Sequence, residues 1–85
     1  MMKMFAIYDV KADFYANPFT ARTTAEALRS FAQAANDEKI TISQNPEDFA
    51  LYELAIYDEQ TGQISPLDVP MKLGIAAEYQ TKQSA

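Results

Sequence analysis

An 85-residue chain has room for one small domain, which removes only about 60% of its unfolded surface from water on folding. Fourteen of its residues are Ala, so the core must rest on five Phe, five Tyr and the Leu, Ile and Met side chains, and the absence of Cys and His excludes disulfides, thiolate metal sites, cysteine nucleophiles and imidazole acid–base chemistry. The net charge of −5 counts against holding nucleic acid by charge alone, but the imbalance belongs to residues 46–85, because residues 1–45 carry five basic and five acidic side chains.

In chain order, Lys3 to Asp9 (KMFAIYD) mixes aromatic and aliphatic residues without a helix start, which predicts a strand. Phe5 and Ile7 point one way; Met4, Ala6 and Tyr8 point the other. Val10 to Thr20 holds the turn signal Asn17-Pro18 among Phe14, Tyr15 and Phe19, and is expected to form a loop or a short edge strand. T-T-A-E at 23–26 matches a capping box. A helix of roughly three turns should follow, with Ala25, Leu28, Phe31 or Ala32, and Ala35 inward and Glu26, Arg29, Ser30 and Gln33 facing water. Asn36 is expected just past its end in the left-handed conformation.

Residues 37–45 are a polar connection around Ile40 and Ile42, open to a short strand or a loop. Pro46 to Phe49 should make one helical turn, with Pro at its first position and two acids near its positive end. Ala50 to Asp58 (ALYELAIYD) is the strongest strand signal, placing Tyr52, Leu54 and Ile56 on one face and Leu51, Ala55 and Tyr57 on the other. Glu59 to Gly62 reads as a hairpin loop with Gly62 at positive φ, and Gln63 starts a return strand. Pro66 and Pro70 are expected to interrupt strand pairing, Leu73 to Tyr79 to form a weak helix, and residues 80–85 to fray. AIYD occurs at 6–9 and again at 55–58, which suggests two adjacent strands that each end in an acid before a turn. The expected architecture is α+β: an antiparallel sheet of three or four strands covered by one helix, in the order β-α-β-β, with residues 1–66 as the domain and 67–85 as an extension.

No apolar run approaches the ~18 residues of a membrane span, and the opening MMKMFAIYD lacks the longer apolar stretch of a signal peptide, so a soluble, unprocessed chain is expected. Paired carboxylates are the only acid–base apparatus left. Asp9 and Asp58 end similar strands and could share a site, but as strand-end residues both can simply cap turns, and so small a core rarely offers a pocket. With no phosphate loop or nucleophile elbow either, no enzyme activity, metal or cofactor is expected. The aromatic residues exceed what one short helix can bury. Tyr8, Phe14 and Tyr15 near Lys3, Lys11, Arg22 and Arg29 could form a stacking platform for single-stranded nucleic acid. The same surplus could instead be buried in a homodimer, and net charge favours that alternative. Arg29 also has a plain role as a surface partner of Glu26.

AIYD near the start, PF at 18–19, a Thr-rich helix cap, N-P-E-D-F at 45–49, L-Y at 51–52, Y-D at 57–58 and T-G-Q-I at 61–64 together resemble the small non-structural protein encoded by the fifth open reading frame of gokushovirus-type microviruses. The series covers residues 3–66. The resemblance implies a DNA-binding bacteriophage protein of the infected cell's cytoplasm that turns replication from double-stranded circles toward single-stranded genomes for packaging. It brings no catalytic residues. The expected partners are single-stranded DNA or, since docking on a protein needs no basic surface, a replication initiator or host replisome protein, and the chain is expected to be a homodimer. The alternative is a homodimeric module that docks on a replication protein without touching DNA.

Overall fold

A computed structural model of the chain describes residues 1–81. Five strands, β1 (Met2–Asp9), β2 (Phe14–Tyr15), β3 (Phe19–Ala21), β4 (Phe49–Asp58) and β5 (Gln63–Ile75), form one antiparallel sheet. Two helices, α1 (Thr24–Ala35) and the single turn α2 (Thr41–Gln44), lie between β3 and β4, and 3₁₀ turns occupy Pro46–Asp48 and Ala76–Tyr79. The α+β class is as expected. The expected β-α-β-β order is corrected by β2 and β3, which the Asn17-Pro18 segment separates. Both pair with the same flank of β1, β2 through Tyr8 and Asp9 and β3 through Lys3 to Phe5. The opposite flank of β1 pairs with β4, whose other edge pairs with β5.

Helix α1 starts where the sequence places it. The Thr23 hydroxyl accepts the Glu26 N–H at 3.1 Å, but the returning Glu26 carboxylate accepts the N–H of Arg22, also at 3.1 Å, one residue earlier than a standard capping box. The buried stripe is Ala27, Phe31 and Ala35, with Leu28 half-buried, so Ala25 is exposed rather than inward. Asn36 ends the helix at φ −107°, not in the left-handed region. Its side chain does the capping: the amide donates to the carbonyls of Ala32 (2.7 Å) and Tyr79 (3.0 Å), and its oxygen accepts the Thr81 N–H at 2.7 Å. The polar connection forms α2 rather than a strand, with Ile42 packed on the core.

Phe5, Phe31 and Leu51 are the largest fully buried side chains, each contributing about 1.5–3 kcal/mol. They pack with Ala21, Ala27, Ala35 and Ala76 between α1 and one face of the sheet. Phe5 stacks on Phe19 at 5.8 Å and Phe31 meets the edge of Tyr79 at 5.9 Å. Glu53 is also buried, 3.8 Å from the Lys3 ammonium.

Strand β4 does not alternate regularly. Phe5 pairs with Glu53 and Met4 with Ala55, so Leu54 is an extra residue at a bulge. One face therefore collects Phe49, Leu51, Glu53 and Ile56, and the other Ala50, Tyr52, Ala55 and Tyr57. The unbroken alternation expected for Ala50 to Asp58 is wrong for that reason. Strand β5 is longer than expected and passes through both prolines to Ile75. The expected interruption is visible as residues 67–70, which have no partner in β4 between the pairs Ala55–Pro66 and Glu53–Met71. A sheet edge tolerates the missing proline N–H groups. Beyond residue 66, Leu73, Ala76 and Tyr79 pack on the core, and within the weak helix expected over Leu73 to Tyr79 the residues Ala76–Tyr79 form a 3₁₀ turn. Gln80 and Thr81 are hydrogen-bonded to α1 and its cap, and the rest of the tail expected to fray lies outside the described residues.

Gly74 is the point where β5 turns into the last 3₁₀ turn. A Cβ there would lie 2.8 Å from Glu78 Oε1 and 2.9 Å from Tyr79 Cε2. Gly74→Ala should therefore cost about 1–3 kcal/mol through overpacking, seen in urea unfolding as a lower midpoint with an unchanged slope. Wild-type stability in this variant would show that Tyr79 does not pack closely on Gly74.

Candidate nucleic-acid interface

The repeated AIYD segments form equivalent ends of adjacent strands. Asp9 Oδ1 accepts the Lys11 N–H and Asp58 Oδ1 accepts the Gln60 N–H, both at 3.0 Å. In each turn the fourth residue onward returns its N–H to the aspartate carbonyl at 2.7 Å: Asp13 to Asp9 and Gly62 to Asp58. Those two residues have φ of 63° and 78°. The Gln60 N–H holds the Asp58 carboxyl below its ordinary range against an opposing desolvation cost, with bonds from Thr61 adding to the lowering. Because β1 and β4 are antiparallel, the two aspartates sit at opposite ends of the sheet, about 25 Å apart by strand rise. Each caps its own turn, and they share no site. Among the described residues no group of three His, Cys, Asp or Glu could hold a metal ion.

On the sheet face away from α1, three tyrosines converge. The Tyr8 and Tyr15 ring centroids lie 4.7 Å apart, Tyr15 and Tyr52 5.5 Å, and Tyr8 and Tyr52 5.9 Å. Register brings them together. Tyr8 pairs with Tyr15 on β2, while its partner on β4 is Ala50 and the β1 partner of Tyr52 is Ala6. Both alanines are buried, so small side chains beside the rings leave room for them to meet. Lys72 is the β5 partner of Tyr52 and shares this face. The Tyr8 hydroxyl donates to Asp13 Oδ1. That bond, with partial burial and the Asp13 charge, raises the Tyr8 pKa from 10.0 to about 12.

The other expected contact residues are dispersed. Phe14 pairs with Asp9 and so points to the helix side, 57% exposed, and does not join the platform. Lys3 also points to the helix side, where its ammonium is 3.3 Å from the Thr24 hydroxyl and 3.8 Å from Glu53. Lys11 is exposed in the β1–β2 turn. Arg22 and Arg29 line a shallow groove of about 390 Å³ between β3 and α1. The ion pairs among the described residues are Met1 amino–Glu59 and Lys3–Glu53, so the surface pair expected between Arg29 and Glu26 is absent. Sequence reasoning missed Tyr52 and Lys72. Tyr52 was visible as a strand residue, but only the register puts it beside Tyr8.

The geometry defines a small α+β domain with an aromatic cluster on its uncovered sheet face and an arginine groove at its edge. The chain belongs to the phage ORF5 protein family, whose model it matches over residues 2–79. It is thus a bacteriophage protein, in line with the microvirus resemblance of its motifs. No curated protein and no solved structure matches it.

The Tyr8–Asp13 bond favours the neutral phenol. Its contribution to stability is complete below pH 10, the unfolded value, and is lost as the pH rises toward 12. Ultraviolet titration should show one tyrosine ionising near pH 12, absent in Tyr8→Phe and moved back toward pH 10 in Asp13→Asn. An unchanged titration in Asp13→Asn would overturn the assignment.

Proposed function

We propose that this phage protein is non-enzymatic and non-structural, and that it binds single-stranded DNA on the open sheet face. Through that contact it regulates the switch from double-stranded replication to single-stranded genome synthesis and packaging in the cytoplasm of the infected bacterium. The observation that carries the proposal is the convergence of Tyr8, Tyr15 and Tyr52 within 4.7–5.9 Å on a face that no helix among the described residues covers. The rings meet at interplanar angles of 55–86°, so each presents its own ring surface to a base rather than joining one flat platform, and stacking is tolerant of sequence because every base has a π-face. Lys72, in register with Tyr52, supplies a cation for a neighbouring phosphate.

The net charge of −5 shapes this mode of binding. A chain with few cations on its binding face releases few counterions, so affinity should come mainly from stacking and vary only weakly with salt. Such a protein recognises strands whose bases are already exposed and leaves duplex DNA alone, which is the discrimination the switch requires.

Anisotropy of a labelled oligothymidylate tests the proposal. Tyr52→Ala should weaken binding roughly 5- to 150-fold, the equivalent of about 1–3 kcal/mol per stacked base, and duplex of the same length should bind far less. Absence of single-strand binding at low ionic strength would overturn direct contact. Burial of Tyr8, Tyr15 and Tyr52 in a dimer would then point to the homodimeric alternative.

A further inference from the structure

Arg22 and Arg29 line one groove, yet neither takes part in the ion pairs that the described residues form. Of the acids near them, Glu26 has its Oε1 engaged by the Arg22 backbone N–H as part of the helix cap, and Glu59, which feels the Arg22 charge, is paired with the Met1 amino group. Two guanidinium groups that share a groove repel each other, and a guanidinium fork is well suited to phosphate oxygens. The hydroxyl residues Thr20 and Ser30 line the same groove and add donors suited to phosphate. An anion is the ligand that this combination accommodates.

Position decides which anion. The groove lies on the same flank of β1 as Tyr15, because β2 and β3 both pair with that flank. Thr20 pairs with Met4 and so belongs to the open face at the outer edge of β3, directly before the turn to the helix side. Met2 lines the groove and Tyr8 lies in the tyrosine cluster. Six steps of β1 separate them, about 20 Å. A chain that runs along this flank meets the rings first and the arginines second.

We propose that the groove between β3 and α1 is a second phosphodiester site, reached by a single DNA strand that leaves the tyrosine cluster and crosses the outer edge of β3. This rests on the single-strand binding proposed above and adds its path and its polar anchor. Once the rings hold one part of the strand, the arginine contact is intramolecular, so it strengthens only strands long enough to span both places.

Oligothymidylates of about 4 and about 16 nucleotides, the range of site sizes found for single OB-folds, separate the two sites. For the wild type, the longer strand should bind more tightly and with a salt slope steeper by roughly 0.7 for each additional phosphate neutralised. The doubly substituted Arg22→Gln/Arg29→Gln protein should bind the short strand like the wild type and lose the extra affinity and slope of the long one. Both arginines are exposed, and an unchanged unfolding midpoint checks that the fold is intact. If the double variant keeps the full length dependence while Tyr52→Ala weakens both strands, the groove proposal falls and the platform stands. If no oligomer binds, both fall.

Discussion

Everything else in this protein follows from one limited resource, the packing of α1 through Phe31 onto Phe5 and Leu51. Alanines at 27 and 35 let the helix come down closely on the sheet, and Ala21 and Ala76 fill the sides of the same cluster. A 12-residue helix is about 18 Å long, whereas the ten residues of β4 extend about 33 Å. The helix therefore covers part of one face. Beyond its reach Ile56 remains 36% exposed at the β4–β5 end, and the other face, where Ile64 beside Tyr57 is 55% exposed, has no second layer among the described residues.

A sheet face without a covering layer must be tolerable to water. Tyrosine meets that requirement, since its ring covers apolar surface and its hydroxyl stays hydrated or bonded. Here the rings lean over Ala6 and Ala50, which would otherwise expose backbone and methyl groups. The Asp-capped turn after β1 adds a constraint, because the position with φ of 63° is Asp13, whose carboxylate holds the Tyr8 hydroxyl. The echo of AIYD is thus a local device used twice, and in its first copy the turn also fixes a ring of the open face. Its second copy carries Gly62 at the equivalent position and makes no such bond.

What was legible in the sequence was local. The Thr23 cap, the Pro46 turn, the Gly62 hairpin and the aspartate-capped turns after β1 and β4 all depend on residues within five positions of one another, so the signal is contained in the segment itself. The faces of β4 were not legible, because the bulge at Leu54 is a property of its pairing with β1 and shifts every later side chain to the opposite face. The same holds for the long β5: its prolines look like breakers until the strand is known to lie at an edge. On α1 the inward positions Leu28, Phe31 and Ala35 were legible, and only Ala25 was taken where Ala27 is buried, because the many alanines give a weak periodic signal. For the site, Tyr8 and Tyr15 were found from aromatic excess near a turn, Phe14 was wrongly joined to them because neighbours in a strand point apart, and Tyr52 and Lys72 entered only through register.

Charge was first divisible by sequence, with a neutral half before residue 46 and an acidic half after it. The fold divides it differently. Lys3, from the neutral half, is bound on the helix side by the buried Glu53, while Lys72, from the acidic half, stands in register with the tyrosines. Arg22 and Arg29 are at the edge, around the side of β3. Net charge therefore does not describe what a ligand on the open face would meet. On that face aromatic area dominates and cations are sparse, so under the proposed single-strand binding a ligand with exposed rings would fit better than one with charge alone, and a duplex, whose bases are stacked away and whose phosphates are its accessible surface, would present the wrong half of the chemistry.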